Sequence, residues 1–227
     1  MSEWWTYTLS DFLLFSPRTY YRLLELYNLS IWPAQLVALA IGVSIAVLLF
    51  RERRERDRII AGLLAACWLW IAWAFHYERY AQINTAAPWF AGAFALQALL
   101  LAGFSAFAGR AAVATARGGA RIWSAIVAIA VVGYPLLAPL AGRPWAGAEM
   151  FGAAPDPTAI ATVAALGPVR GRVRPLLLVL PLLWCTISAA TLWAMDAPEA
   201  MIVAGSAVLA IVLALRGMSH RAAVLLR

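Results

Sequence analysis

This sequence predicts an all-α fold: a polytopic membrane bundle of seven transmembrane helices with an N-terminal amphipathic helix on the outer face. Three observations carry it. The 227-residue chain is 64% hydrophobic and 13% charged, with a mean hydropathy of +0.79. A soluble domain has about 25% charged residues. The apolar residues gather in runs near 31–50, 59–78, 88–108, 122–141, 175–195 and 199–216, each close to the ~20 residues that cross ~30 Å of hydrocarbon. The third observation is how the 18 basic residues, all arginine, divide between the two ends of these runs.

Residues 1–30 form a separate outer-surface segment ahead of a transmembrane domain at 31–227. Glu3 and Asp11 precede the first arginine, so the basic start of a signal peptide is missing. Ser10 and Asp11 offer N-cap chemistry, and Ser16-Pro17 restarts a helix because proline suits the first helical position. Tyr20, Leu23, Leu24 and Tyr27 then recur at helical spacing, with Arg18, Arg22 and Glu25 elsewhere on the wheel. That pattern predicts an amphipathic helix on the membrane surface or capping the bundle. Trp4, Trp5, Trp32, Trp89 and Trp145 form an outer aromatic belt.

Within the spans, Trp68, Trp70 and Trp73 mark the second run. Pro135 and Pro139 in the fourth, and Pro181 in the sixth, each remove a backbone donor and kink the helix. Ala91, Gly92 and Gly103 offer close helix contact. Cys67 and Cys185 lie inside apolar runs and read as small hydrophobes. No zinc or disulfide pattern surrounds them. No internal repeat divides the chain into matching halves.

The stretch 156–170 is apolar but short, covering only ~22 Å as a helix. Arginine counting decides its role. If it crosses, 14 arginines share one side and Arg18, Arg22, Arg79 and Arg143 the other; if it returns, the split is 8 against 10. The positive-inside rule selects seven crossings, with the N-terminus outside (periplasmic) and the C-terminus cytoplasmic. The net charge of +7 follows from the same bias and needs no nucleic acid.

Polar chemistry gathers at the outer ends of the helices. His76, Arg79 and Tyr80 are spaced i, i+3, i+4 and share one α-helical face, with Glu78 pointing elsewhere. The outer loop GRPWAGAEMFGAAPDPT, 142–158, adds Arg143, Glu149 and Asp156. Asp156 as N-cap and Pro157 at the first helical position start the short helix. The candidate substrate-binding set is therefore His76, Glu78, Arg79, Tyr80, Arg143, Glu149 and Asp156. His76, Glu149 and Asp156, with Glu78, are the weak candidates for a metal, without ligand spacing on one helix. The competing reading pairs these groups structurally with Arg79, Arg143 and backbone carbonyls. His220 falls in the cytoplasmic tail. No catalytic triad, phosphate loop or dinucleotide fingerprint is present, and no cofactor is named by the sequence.

The segments SDFLLFSPRTYYRL, HYERYAQINTAAPWF, GRPWAGAEMFGAAPDPT and PLLWCTISAATLWAM resemble the signature segments of an uncharacterised family of bacterial multi-pass inner-membrane proteins. It is a domain-of-unknown-function family whose members sometimes carry a transporter-permease label. The resemblance implies a single-domain integral membrane protein of the bacterial inner membrane and brings no catalytic residue.

The expectation is small-solute transport or binding at an outer-facing polar site, with Arg79 and Arg143 orienting an anion and His76 relaying a proton. The alternative is an accessory or assembly subunit of a larger respiratory or photosynthetic membrane complex, with Trp68, Trp70 and Trp73 against partner helices. An enzyme stands third. The expected partners are the lipid bilayer, a small solute or other membrane subunits, and no nucleic acid.

Overall fold

Ser16 accepts a hydrogen bond from the Thr19 amide (3.2 Å) and Pro17 follows it, so helix α1 (Pro17–Ser30) starts where the sequence predicts. The computed structural model describes residues 13–51, 55–107, 120–169, 173–206 and 208–209. Among these residues every regular element is helical. The Ser10–Asp11 cap, Trp4, Trp5 and His220 lie outside them.

Helix α1 buries Tyr20, Leu24, Tyr27 and Asn28. It meets α2 (Ala34–Phe50) at 94°, so it runs across the end of the bundle. Helix α3 (Arg56–Trp70) continues as a π-wound turn, Ile71–Tyr77, and a short 3-10 turn, Tyr80–Gln82. Helix α4 (Ala87–Phe107) returns beside it. Helix α5 (Ala120–Ala128) passes through a second π-wound turn, Ile129–Gly133, and a 3-10 turn at Pro135 into α6 (Leu137–Leu140). Proline at 135 cannot donate a backbone bond, which accounts for the change of winding there. Helix α7 (Pro155–Leu166) precedes α8 (Val173–Ala194), and residues 199–206 are helical again.

Four stretches are long and apolar enough to cross a membrane: Arg56–Gln82, Ala87–Phe107, Arg121–Leu140 and Val173–Ala194. The bent α1–α2 pair makes a fifth if taken as one span. Seven such helices are not present among the described residues. Helix α7 has 12 residues, ~18 Å of rise, and the last run is described only to 209.

The shortness of α7 has a structural reason. The helix packs among α2, α3, α5 and α8, and all of its residues are buried. The chain ahead of it does not stay at the bundle's end. From Gly147 to Ala154 only Met150 is even half-exposed. Phe151 packs on Gly42, the ninth of the 17 residues of α2, where a β-carbon would lie 2.9 Å from Phe151 Cδ1 and 2.7 Å from Val131 Cγ2. Gly152, at φ +75°, sits against Ala38 and Cys67. An irregular coil therefore descends to the middle of the bundle, and α7 continues from there.

Buried coil must satisfy its backbone locally, because no water is at hand. Side chains of α1 and α7 do this. Asn28 Nδ2 donates to the carbonyls of Ala146 (2.7 Å) and Ala148 (2.8 Å). Tyr27 Oη donates to Ala153 O (3.1 Å) and accepts from Trp70 Nε1 (3.1 Å). Thr158 Oγ1 accepts from the Gly152 amide and donates to Ala154 O, both at 2.8 Å.

Two local expectations are corrected. Asp156 is not the N-cap of the short helix: Ala154 holds that position and Pro155 opens the first turn. The Asp156 side chain is engaged by other helices instead. A β-carbon at Gly92 or Gly103 would meet nothing within 4 Å; the close approaches fall at Gly42, Gly152 and Gly167 instead. At Gly167 a β-carbon would lie 2.6 Å from the Trp123 ring.

Candidate functional site

Asp156 is 1% exposed. Its Oδ1 accepts from Trp184 Nε1 (2.8 Å), and its Oδ2 accepts from Ser188 Oγ (2.6 Å) and Tyr134 Oη (3.2 Å). Trp184 and Ser188 are the twelfth and sixteenth of the 22 residues of α8, which places the carboxylate around mid-length of that helix. Among the described residues three neutral donors and no cation hold it. Three hydrogen bonds from two directions fix the carboxyl group's position closely.

Glu149 is also buried, with Oε2 lacking a hydrogen-bond partner. Burial, followed by the charges of Glu149 and Asp156, pushes the Tyr20 hydroxyl well above its ordinary range.

A cavity of about 60 Å3 lies beside this cluster, its walls including Tyr20, Tyr80, Asn84, Trp184, Ser188 and Thr191. That volume holds about two waters at ~30 Å3 each. Ser188, which lines the cavity, also donates to Asp156, so a single residue links the cavity and the carboxyl group.

The other expected site residues are distributed around this centre. His76 is fully buried and both ring nitrogens lack partners. Phe94 and Trp184 cover its ring at centroid distances of 4.4 and 4.9 Å, and Tyr80 lies at 5.9 Å. The π-wound turn changes the expected shared face: the Glu78 amide reaches Trp73 O five residues back (3.0 Å). His76 and Tyr80 stay together inside. Arg79 turns to α1, where Nη2 donates to Ser30 Oγ (3.1 Å), and Glu78 is exposed. Arg143 pairs with buried Glu199 and stacks over the Tyr21 ring at 4.0 Å. Arg79 and Arg143 therefore meet different faces of α1 and do not converge.

Glu149 and Asp156 were expected in an outer loop; the structure encloses both, because the coil that carries them is drawn into the bundle. Among the described residues no three of His, Cys, Asp and Glu come together as a metal-holding group. The tryptophans of the second run divide as well. Trp68 Nε1 donates to Thr162 Oγ1 (2.8 Å) and Trp70 to Tyr27, while Trp73 is exposed.

Sequence reasoning missed Tyr134, Trp184 and Ser188, the donors to Asp156. The available signal was polar capacity inside an apolar run: Trp184 and Ser188 are spaced i, i+4 on one face of the sixth run.

The described residues form an all-helical bundle with several helices fit for a membrane and a carboxyl group enclosed at the start of a short buried helix. The chain belongs to a family of unknown function, DUF6064, whose model matches residues 18–223. No curated protein and no solved structure matches it.

Proposed function

We propose that this protein crosses the bacterial inner membrane seven times and binds or passes a small cationic solute, down to the size of a proton, at Asp156. The N-terminus is outside and the C-terminus cytoplasmic, on the arginine split of 14 to 4. In this reading the coil through Gly147–Ala154 and helix α7 together make one crossing. Irregular backbone at membrane depth is tolerated where it is enclosed in protein, and broken helices near the midplane are where transporters hold small solutes.

The observation that carries the reading is the Asp156 carboxylate, held by Tyr134, Trp184 and Ser188, the last of which also lines a water-sized cavity. An ionisable group at such depth is costly and marks a pathway or binding site. Two carboxyl groups without a dedicated cation favour a positive solute over the anion that Arg79 and Arg143 would select; Arg143 is committed to Glu199.

The test is purified protein in proteoliposomes, with current recorded after steps of pH, monovalent cations and small amines. A current in the wild type that falls at least tenfold in Asp156→Asn, and less in Ser188→Ala, supports the reading. Equal currents in wild type and Asp156→Asn at equal incorporation overturn it, as does the absence of any current or binding across the panel.

A further inference from the structure

Three of the four arginines on the N-terminal side of the topology line one groove. Arg18 and Arg22 of α1 and Arg79 beyond the π-wound turn face a space of about 370 Å3, with Leu23, Leu26 and Ile83 as its apolar wall. Arg79 is tied by one nitrogen to Ser30 Oγ, and Arg22 pairs with Glu25 at 2.6 Å. Arg18 has no ion pair among the described residues. Like charges lining one groove repel one another. Arginine is also the side chain the positive-inside rule disfavours on that side. Glu25 offsets one of these charges, and the groove keeps two guanidinium groups, those of Arg18 and Arg79, without an ion pair among the described residues.

We propose that this groove binds the phosphate group of an anionic phospholipid. Guanidinium groups match phosphate oxygens in paired hydrogen bonds, which accounts for three of them around one space. The apolar wall favours a lipid over free phosphate, because Leu23, Leu26 and Ile83 offer contact to the glycerol and the first acyl methylenes beside the headgroup. The course of α1, at 94° to α2, sets the groove at the end of the bundle, the level of headgroups. Exposed Leu26 and Leu29 extend the apolar surface beside it. The site is separate from Asp156 and stands whether or not a solute passes there.

The test uses the full chain in nanodiscs of phosphatidylcholine containing phosphatidylglycerol with a photoreactive diazirine near its headgroup. Peptide mapping is expected to find adducts on 18–26 and 79–83. These should fall roughly tenfold in the Arg18→Gln/Arg22→Gln/Arg79→Gln triple variant, while Arg51→Gln, at the far end of α2, leaves them unchanged. Circular dichroism and elution volume identify a triple variant that has failed to fold; the Arg18→Gln/Arg22→Gln double variant, which leaves the Arg79–Ser30 contact, then gives the reading. Absence of adducts on these peptides, adducts undiminished in the folded variant, or full displacement by inorganic phosphate would each overturn the assignment.

Discussion

Replacing Asn28 by alanine tests how the coil is held in the bundle. Asn28 Nδ2 donates to two carbonyls, Ala146 O at 2.7 Å and Ala148 O at 2.8 Å. Ala148 is 2% exposed, so its carbonyl would be left without water, at a cost of ~1–3 kcal/mol. Ala146 is half-buried and would regain partial hydration, leaving the ~1 kcal/mol net value of an ordinary hydrogen bond. The expected loss is about 2–4 kcal/mol. Interhelical hydrogen bonds in membranes average only ~0.6 kcal/mol, so the result distinguishes an enclosed coil from a loosely associated loop. Asn28→Asp keeps the shape, removes both donors and should lose at least as much. The assay is reversible unfolding in mixed detergent micelles followed by tryptophan fluorescence. A loss below about 0.5 kcal/mol in both variants would refute the reasoning.

Gly152→Ala should destabilise by about 2–4 kcal/mol, because φ +75° disfavours a side chain and the new β-carbon would press on Ala38 (3.0 Å) and Cys67 (3.2 Å). Gly92→Ala, with open space around it, should be neutral or gain up to ~1 kcal/mol from helix propensity; the same unfolding assay reads both. Arg143→Gln leaves buried Glu199 without its partner and should lose ~3–5 kcal/mol. Arg143→Gln/Glu199→Gln should recover most of that, and a double variant no better than the single would show that the pair is not the cause. Gly167→Ala drives a β-carbon to 2.6 Å from the Trp123 ring and should lose ~1–3 kcal/mol; Trp123→Leu in the same chain should restore part of it.

The helices that were legible in the sequence are those whose own residues specify them. Apolar length marked Ala87–Phe107 and Val173–Ala194, and Ser16-Pro17 marked the start of α1 through local capping chemistry. The coil before α7 was not legible, because its burial depends on distant side chains. Asn28 and Tyr27 meet it across more than a hundred residues of sequence, and Gly42 admits Phe151 only once α2 is in place. For the same reason Asp156 read as a cap: the motif Asp-Pro-Thr is locally consistent with one, and it is the distant donors Tyr134, Trp184 and Ser188 that draw the carboxyl group away. His76 and Tyr80 were rightly placed together, but the π-wound turn that separates Arg79 from them has no signature in the residue spacing. Glu149 and Asp156 were assigned to an outer loop, and the structure encloses both side chains.

The central claim is that residues 147–154 enter the bundle and present Asp156 at mid-depth. Single cysteines in a Cys67→Ala/Cys185→Ala background test it directly, with a membrane-impermeant maleimide added to intact cells. Cysteines at Gly142 and Trp145, both exposed, should label readily, while those at Phe151 and Ala154 should stay unlabelled until the protein is denatured. Labelling at Phe151 and Ala154 as fast as at Trp145 would contradict the account and return the segment to an ordinary outer loop.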